Sequence, residues 1–473
     1  MSRLLSSTFL LAAKAHGISE AELERQWLRL QSGPSYCQPE GACQRGNGIE
    51  TLTDEDLNHW SAKGQDLKSH EAIRFVPASG AASRMFKSLA TKNAEALEQL
   101  DARWHAFPFR ALAEATGPCD RVEDRLEAVM KRLALPDMPK GGLPFHLYPE
   151  GTRTAFEEHM REWRETMPNT TAWEVHFTLS EENRSHWETE LSRWAQDLGV
   201  KVSTSIQHPS TDTIALDDEG QPFTIDGSMP LFRPGGHGSL LFNLSEIGKR
   251  HPGAMVSVKN IDNVRPGTAF GEVIPWRRAL LGLTYDLNQS RLQALRALDD
   301  GNEAPARHWL ARGFLHPTDS GPQDREGLVK ALDRPLLVAG MVRNEGEPGG
   351  GPFWLRDAEG TLRAQIVESA EMDLGDPRIG NCIAEATHFN PVDLVCVLHG
   401  PDGNPYPLEL FTDVRRDFLV TKSHSGRGLI GLEHPGLWNG AMGRWNTLFV
   451  EVPSRTFAPV KTVFDLLRPA HKV

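Results

Sequence analysis

The chain lacks any run of eighteen apolar residues, so no segment reads as a membrane-spanning helix. Basic residues are in the minority, 51 Lys and Arg against 63 Asp and Glu, for a formal charge of -12. Nucleic-acid binding draws its affinity from clustered Lys and Arg on phosphates, so this balance argues against such a partner. Cysteine is scarce: five residues, at 37, 43, 119, 382 and 396. An odd, scattered set builds neither a disulfide framework nor a zinc site, and reduced thiols in a cytoplasmic protein are the expectation. Common catalytic signatures are missing too. No Ser or Cys stands in a nucleophile elbow, no His pair has metal-ligand spacing, and the small-residue loop after the strand at 73–77 has neither Walker nor G-x-G-x-x-G spacing. The start carries an apolar patch at 9–13 but continues as helix through 20–23, which reads as an amphipathic first helix and not as a cleaved signal.

What is present is a 473-residue chain, 39% hydrophobic and 24% charged, long enough for a large core. Residues 1–70 read as a polar helical extension broken by a loop at 32–48. From 71 to 473 strands and helices alternate. Strands are expected at 73–77, 173–179, 202–207 and 254–258, and helices at 154–163 and 181–198. Helical inserts are expected at about 88–136, with Val122, Leu126, Val129 and Leu133 as a core-facing stripe, and at 275–332. A β-rich part follows, with strands at 335–342, 362–367 and 392–398. Such alternation requires crossover connections, hence an α/β fold with a mixed, mostly parallel sheet flanked by helices.

Chemistry is expected where loops leave these strands. The strand at 73–77 runs into Ala78-Ser79-Gly80-Ala81-Ala82-Ser83-Arg84, small residues that let backbone N–H groups approach an anion and then deliver a cation. Lys140 sits in the loop Pro139-Lys140-Gly141-Gly142, which can present its ammonium at a fixed place. Asp262 follows an apolar strand, at the carboxyl end where open α/β sheets bind ligands, with Asn260 and Asn263 beside it. One carboxylate there suits Mg²⁺, which completes its shell with substrate phosphates; a helix cap is the equally simple alternative. A second glycine-rich loop, Pro234-Gly235-Gly236-His237-Gly238-Ser239, suggests backbone contact with a flat ligand or a phosphate. Lys461 and Thr462 precede a short helix at 463–467, an arrangement that favours anions.

In order, these stretches resemble the UDP-sugar pyrophosphorylases, especially the UDP-glucose pyrophosphorylase branch of the nucleotidyltransferases, and a related bacterial family known only as a domain of unknown function. The resemblance runs from about 72 to 468. Ser83-Arg84 and Pro139-Lys140 with Leu143-Pro144 resemble a single N-terminal signature, split here by about fifty residues of helix. Pro234-Gly235-Gly236-His237-Gly238 is similar to a Pro-x-Gly-His-Gly-Asp loop, with Ser239 in place of the Asp. Lys259-Asn260-Ile261-Asp262-Asn263 resembles the strand-end Asn-x-Asp-Asn. Thr387-His388-Phe389-Asn390 loosely matches Asn-Thr-Asn-Asn, and the segment 452–467 resembles the closing motif.

The resemblance implies a fold of the nucleotide-diphospho-sugar transferase (GT-A) type. It also implies a reaction in which a sugar 1-phosphate attacks the α-phosphorus of a nucleoside triphosphate, UTP by preference, and releases pyrophosphate. Arg84 and Lys140 would neutralise the triphosphate, Lys461 would meet the sugar phosphate, and Asp262 would hold Mg²⁺. Ser79, Gly80 and Ser83 would line the first loop. Gln207 and Gly235, Gly236, His237 and Gly238 would hold the base, with Asn263, Glu345 and Asn390 completing the substrate contacts. The chain ends soon after the closing motif, so the C-terminal β-helix of many such enzymes is not expected. The alternatives are a catalytically silent sugar-nucleotide-binding protein and a glycosyltransferase of the same fold. The latter would prefer an Asp-x-Asp pair where this chain has Asn-Ile-Asp-Asn. A small-molecule kinase is disfavoured by the missing Walker spacing.

Overall fold

The computed structural model describes residues 7–68, 70–346 and 349–473, with the side chains of residues 183 and 390–392 outside that description. Nine strands form the central sheet: β1 (Gln44–Arg45), β2 (Gly48–Glu50), β3 (Ala72–Pro77), β4 (Trp173–Leu179), β5 (Val200–Ile206), β6 (Met255–Val258), β7 (Leu336–Arg343), β8 (His388–Val397) and β9 (Asn446–Glu451). Their spatial order is β1-β2-β9-β7-β8-β6-β3-β4-β5. All neighbours pair in parallel except the two pairs that involve β8. The mostly parallel, mixed sheet expected from the alternation is therefore present, with one reversed strand near its middle.

Both faces are covered, which is why the inner strands read as continuous apolar runs. Along β3, Ala72 and Val76 enter one core with the helices Ala155–Thr166, Arg184–Leu198 and Phe270–Asp299. Ile73 and Phe75, on the opposite face, pack with the helix Leu240–Arg250. The two-residue period of a strand also turns Arg74 toward the first of these cores, where it is 1% exposed. The helix Asp54–Gln65 lies along Phe270–Asp299 at close range. A Cβ on Gly64 would fall 2.0 Å from the Arg278 carbonyl, and one on Gly282 would fall 2.1 Å from that of Trp60. Larger residues at these two positions would force the helices apart.

Three expectations change in detail. The segment 32–48 is not simply a loop: it contributes β1 and a strand, Gly41–Ala42, that pairs with Gly351–Arg356. β8 begins at His388, earlier than the expected 392, and contains Pro391. A proline cannot donate to the ladder, and the register with β7 shifts on both sides of Met341, opposite Pro391. The stripe at 122–133 is weaker than expected. The helix Val122–Glu127 gives way to a wider turn at Ala128–Arg132, and of the four stripe residues only Val129 is fully buried. At the N-terminus, the helices Ser7–Ala15 and Glu20–Gln31 pack through Phe9, Leu23 and Trp27 onto Ile214 and Leu432 of a separate four-stranded antiparallel sheet.

Burial keeps several histidines neutral. His176 is held between the hydroxyls of Ser203 and Ser205, each 2.8 Å away, and burial pushes it down to about 3. Burial, with His146 beside it, takes His471 down to about 3 as well. The unfolded chain takes up these protons near pH 6.5 while the folded protein does not. Their contribution to stability is thus complete above 6.5 and is lost as pH falls toward 3. The urea midpoint at pH 5.5 is expected to lie below that at pH 7.5, and an unchanged midpoint would contradict this reading.

Candidate functional site

Because β8 runs against its neighbours, its first residues lie at the same edge as the carboxyl ends of the other strands. That edge carries the candidate residues. Ser79, Gly80, Ser83 and Arg84 follow β3, Gln207 follows β5, Asp262 and Asn263 follow β6, Glu345 follows β7, and Asn390 is on β8.

Four segments distant in sequence close on one another here. Ala81 bridges to Pro139, the Ala82 N–H donates to the Met138 carbonyl at 2.9 Å, and the Lys140 N–H donates to that of Gly80 at 3.2 Å. The first loop and the Lys140 loop are thus rejoined across the intervening helices. The Lys140 ammonium then donates to Asp262 Oδ2 at 2.9 Å and to the Val460 carbonyl at 3.4 Å. Both partners of this ion pair are 19% exposed at the side chain. The Val460 N–H donates back to the Asp262 carbonyl at 3.1 Å, and the Ala458 N–H donates to Asn263 Oδ1 at 2.9 Å. The Val463 N–H reaches the Met85 carbonyl at 3.1 Å, which closes the circuit on the first loop.

Glycine makes the Lys140 loop possible. A Cβ on Gly141 would lie 2.4 Å from the Phe156 ring and one on Gly142 would lie 2.0 Å from that of Trp187. The loop is pressed flat on two aromatic side chains.

The other candidate cations are open. Arg84 is exposed and makes no hydrogen bond or ion pair among the described residues. Lys461 is exposed too, its ammonium 5.6 Å from the centre of the Phe389 ring. Its N–H and that of Thr462 both donate to Asp465 Oδ2, at 2.9 and 2.6 Å. Lys87 is exposed and lies outside the circuit.

The candidate base-binding residues form a second group. The Asn243 amide donates to Ser205 Oγ and to the Ile206 carbonyl, both at 2.8 Å, and so ties the helix Leu240–Arg250 to the end of β5. Next to it, the Gln207 Nε2 is buried and has no partner. The glycine loop is packed on protein. A Cβ on Gly235 would meet the Thr211 carbonyl at 2.6 Å and one on Gly238 would meet that of Pro435 at 2.2 Å. His237 accepts from the Leu437 N–H at 3.1 Å and lies 4.8 Å from the Trp438 ring, so its ring is engaged within the fold. Glu345 is exposed. The Asn390 side chain and residues 347–348, shortly after Glu345, lie outside the described residues.

Two comparisons bear on this arrangement. A family model described as "Domain of unknown function (DUF4301)" matches residues 8–109 and 120–472. The chain belongs to the DUF4301 family. No curated protein matches it. Among solved structures, this DUF4301 chain is similar to the UDP-N-acetylglucosamine pyrophosphorylase of Trypanosoma brucei in complex with inhibitor, at 11% identity, with 98% of this chain and 79% of that chain covered and a TM-score of 0.53. It is also similar to a UDP-glucose pyrophosphorylase variant of Leishmania major in complex with UDP-glucose, at 14% identity, the same coverage of both chains and a TM-score of 0.47. At 11% identity the likeness to the Trypanosoma brucei structure is one of fold: a mixed α/β structure with a mainly parallel sheet flanked by helices.

Directly behind the Asp262 loop, the DUF4301 chain buries a cluster that reading the sequence did not single out. Glu162, fully buried, accepts from Lys259 at 2.8 and 3.0 Å and from Arg74 at 3.1 Å, with Arg277 at 2.7 Å. Asp393 lies 3.5 Å from Arg277 and 4.0 Å from Lys259. Burial alone would raise the Glu162 carboxyl, but Arg277, Lys259 and Arg74 together hold it well below the usual carboxylate range. Burial and the neighbouring Arg277 push the Lys259 ammonium down to about 8 despite Glu162 and Asp393. The signal was available in the run Glu157-Glu158-His159-Met160-Arg161-Glu162, where polar residues interrupt the apolar face of a helix.

Proposed function

We propose that this protein is a sugar-1-phosphate nucleotidyltransferase on a sheet of the nucleotide-diphospho-sugar transferase (GT-A) type. In this reading a phosphate oxygen of a sugar 1-phosphate attacks the α-phosphorus of a nucleoside triphosphate, UTP by preference. The bond from the α-phosphorus to the bridging oxygen breaks, and pyrophosphate leaves with that electron pair. The observation that carries the proposal is the Lys140–Asp262 pair at 2.9 Å, held between the small-residue loop and the closing segment. In-line displacement between anions needs charge neutralisation and positioning more than a covalent nucleophile, and this edge offers cations without a nucleophile–base pair.

Among the described residues no group of three or more His, Cys, Asp or Glu is placed to hold a metal. That donor set still fits Mg²⁺, which is commonly held by one or two carboxylates plus substrate phosphates. Asp262 would hold it, and the ion would polarise the α-phosphate. Lys140 and Arg84 would meet the triphosphate, Lys461 the sugar phosphate, and Gln207 the base. A buried amide N–H without an acceptor is costly, and a uracil carbonyl would supply one.

The test is pyrophosphate release from the purified protein with Mg²⁺, each nucleoside triphosphate and a panel of sugar 1-phosphates. Release with at least one pair is expected. Nucleotide binding without release from any pair would instead establish a silent sugar-nucleotide-binding protein. Within an active protein, Gln207→Ala is expected to narrow the preference for UTP over CTP by about tenfold, because discrimination collapses when a dedicated polar contact is lost.

A further inference from the structure

We propose that the helix Ala155–Thr166 is the positioning element that sets the Lys140–Asp262 geometry, with His159 as the residue that fixes the Asp262 loop. The inference rests on the nucleotidyltransferase reading above. The helix touches both halves of the site. Its Phe156 ring is the surface on which Gly141 of the Lys140 loop lies. Its Glu158, fully buried, accepts from His146 at 2.8 Å and from the Tyr148 hydroxyl at 2.7 Å, and these residues stand on the strand Pro144–Tyr148 that continues the Lys140 loop. Three residues beyond Phe156 and four beyond Glu158, the helix turns to the other half. His159 Nε2 lies 3.2 Å from the Ile261 carbonyl, immediately before Asp262, and Glu162 grips Lys259 on the far side of Asn260.

The tautomer of His159 follows from its partner. A carbonyl can only accept, so Nε2 carries the proton and donates, while the buried Nδ1 is left without a partner. Burial, with Lys259 close by, keeps the ring neutral. A buried ring with one hydrogen bond and one unsatisfied nitrogen is a poor source of stability. Its single bond nevertheless falls on the peptide group that orients Asp262. The helix is itself well fixed, because Thr154 and Glu157 cap its first turn reciprocally.

The test compares the full-length protein with H159L, which removes the donor, and H159Q, which restores an N–H donor at a similar reach. Pyrophosphate release is expected to lose about tenfold or more in kcat in H159L, with the nucleotide KM within about threefold, and H159Q to recover most of the loss, because small misplacements of reacting groups cost rate before they cost binding. Mn²⁺ in place of Mg²⁺, followed by electron paramagnetic resonance with UTP present, is expected to bind more weakly to H159L than to wild type. A kcat for H159L within about twofold of wild type overturns the proposal, as does an H159Q variant as impaired as H159L. Should H159L fail to fold, Phe156→Leu removes the support under Gly141 without touching a polar group. It is then expected to lose kcat in the same way, and full activity in that variant overturns the proposal. If wild type releases no pyrophosphate with any pair, the reaction itself is wrong. The Mn²⁺ comparison then decides the positioning role, and equal affinity in wild type and H159L overturns it.

Discussion

Lys140→Met is expected to lower pyrophosphate release by about 10²–10³-fold while the protein stays folded, which is the loss typical of removing one electrostatic contact to a developing charge. The same variant is expected to gain something. The Lys140 ammonium donates to Asp262 Oδ2, the oxygen a divalent cation would need. Metal binding alone must therefore displace a cation and leave two positive charges side by side. With nucleotide present this is avoided, because the phosphates would give Lys140 a new partner and leave Asp262 free to hold the metal. Wild type should bind Mn²⁺ weakly without nucleotide and much more tightly with UTP. K140M should bind Mn²⁺ alone about tenfold more tightly than wild type, measured by electron paramagnetic resonance titration, with Asp262→Asn as the control that abolishes the gain. If K140M binds Mn²⁺ no better than wild type, the two residues do not compete as the geometry implies. If K140M keeps full turnover, Lys140 is not the triphosphate cation.

The second large effect concerns stability. Glu162→Gln is expected to cost about 3–5 kcal/mol in chemical unfolding, the usual penalty when one partner of a buried ion pair is removed and the other charge remains. Here the penalty has a clear source. Arg74, Lys259 and Arg277 would be left with Asp393 alone, and none of the three is more than 3% exposed. Lys259→Met on its own should cost less, because two cations still balance two carboxylates. The double variant Glu162→Leu/Lys259→Met should recover part of the loss of Glu162→Leu, since both members of a close pair are then replaced by apolar side chains. A fully additive double variant would show that Glu162 and Lys259 are not coupled, against the 2.8 Å contact between them.

Much of the architecture was legible because short apolar runs here are closed by breakers. The strands at 173–179 and 362–367 appear at those bounds, and β3, β5, β6 and β7 begin within a residue or two of their expected starts. The reversal of β8 was not legible, since a strand's direction is set by what precedes and follows it in space and leaves no mark in its own residues. β1 and β2 were missed for a different reason. Two or three residues cannot show a two-residue period. At the site, the order of the motifs brought Gly80, Lys140, Asp262 and the closing segment to one place. The hydrogen bonds that rejoin Gly80 to Lys140 needed the intervening helices to be folded back first. The buried cluster escaped because each charged residue, taken alone, reads as a solvated one. Arg74 inside an apolar strand and Glu162 on the core face of a helix carry meaning only as a pair.

The placement of β9 has a consequence for how the chain is made. β2 finds its long-range partner only in β9, which separates it from β7, so a strand formed from residues 48–50 waits for residues 446–451 before it has a neighbour other than β1. A ribosome delivering the chain from its amino terminus presents the two halves of this pairing some four hundred residues apart. The first strands synthesised are therefore among the last to be incorporated, the kind of long-range closure that slows folding and leaves edges exposed meanwhile. Truncation before β9 would then strip β2 of its long-range partner and leave one edge of β7 unpaired.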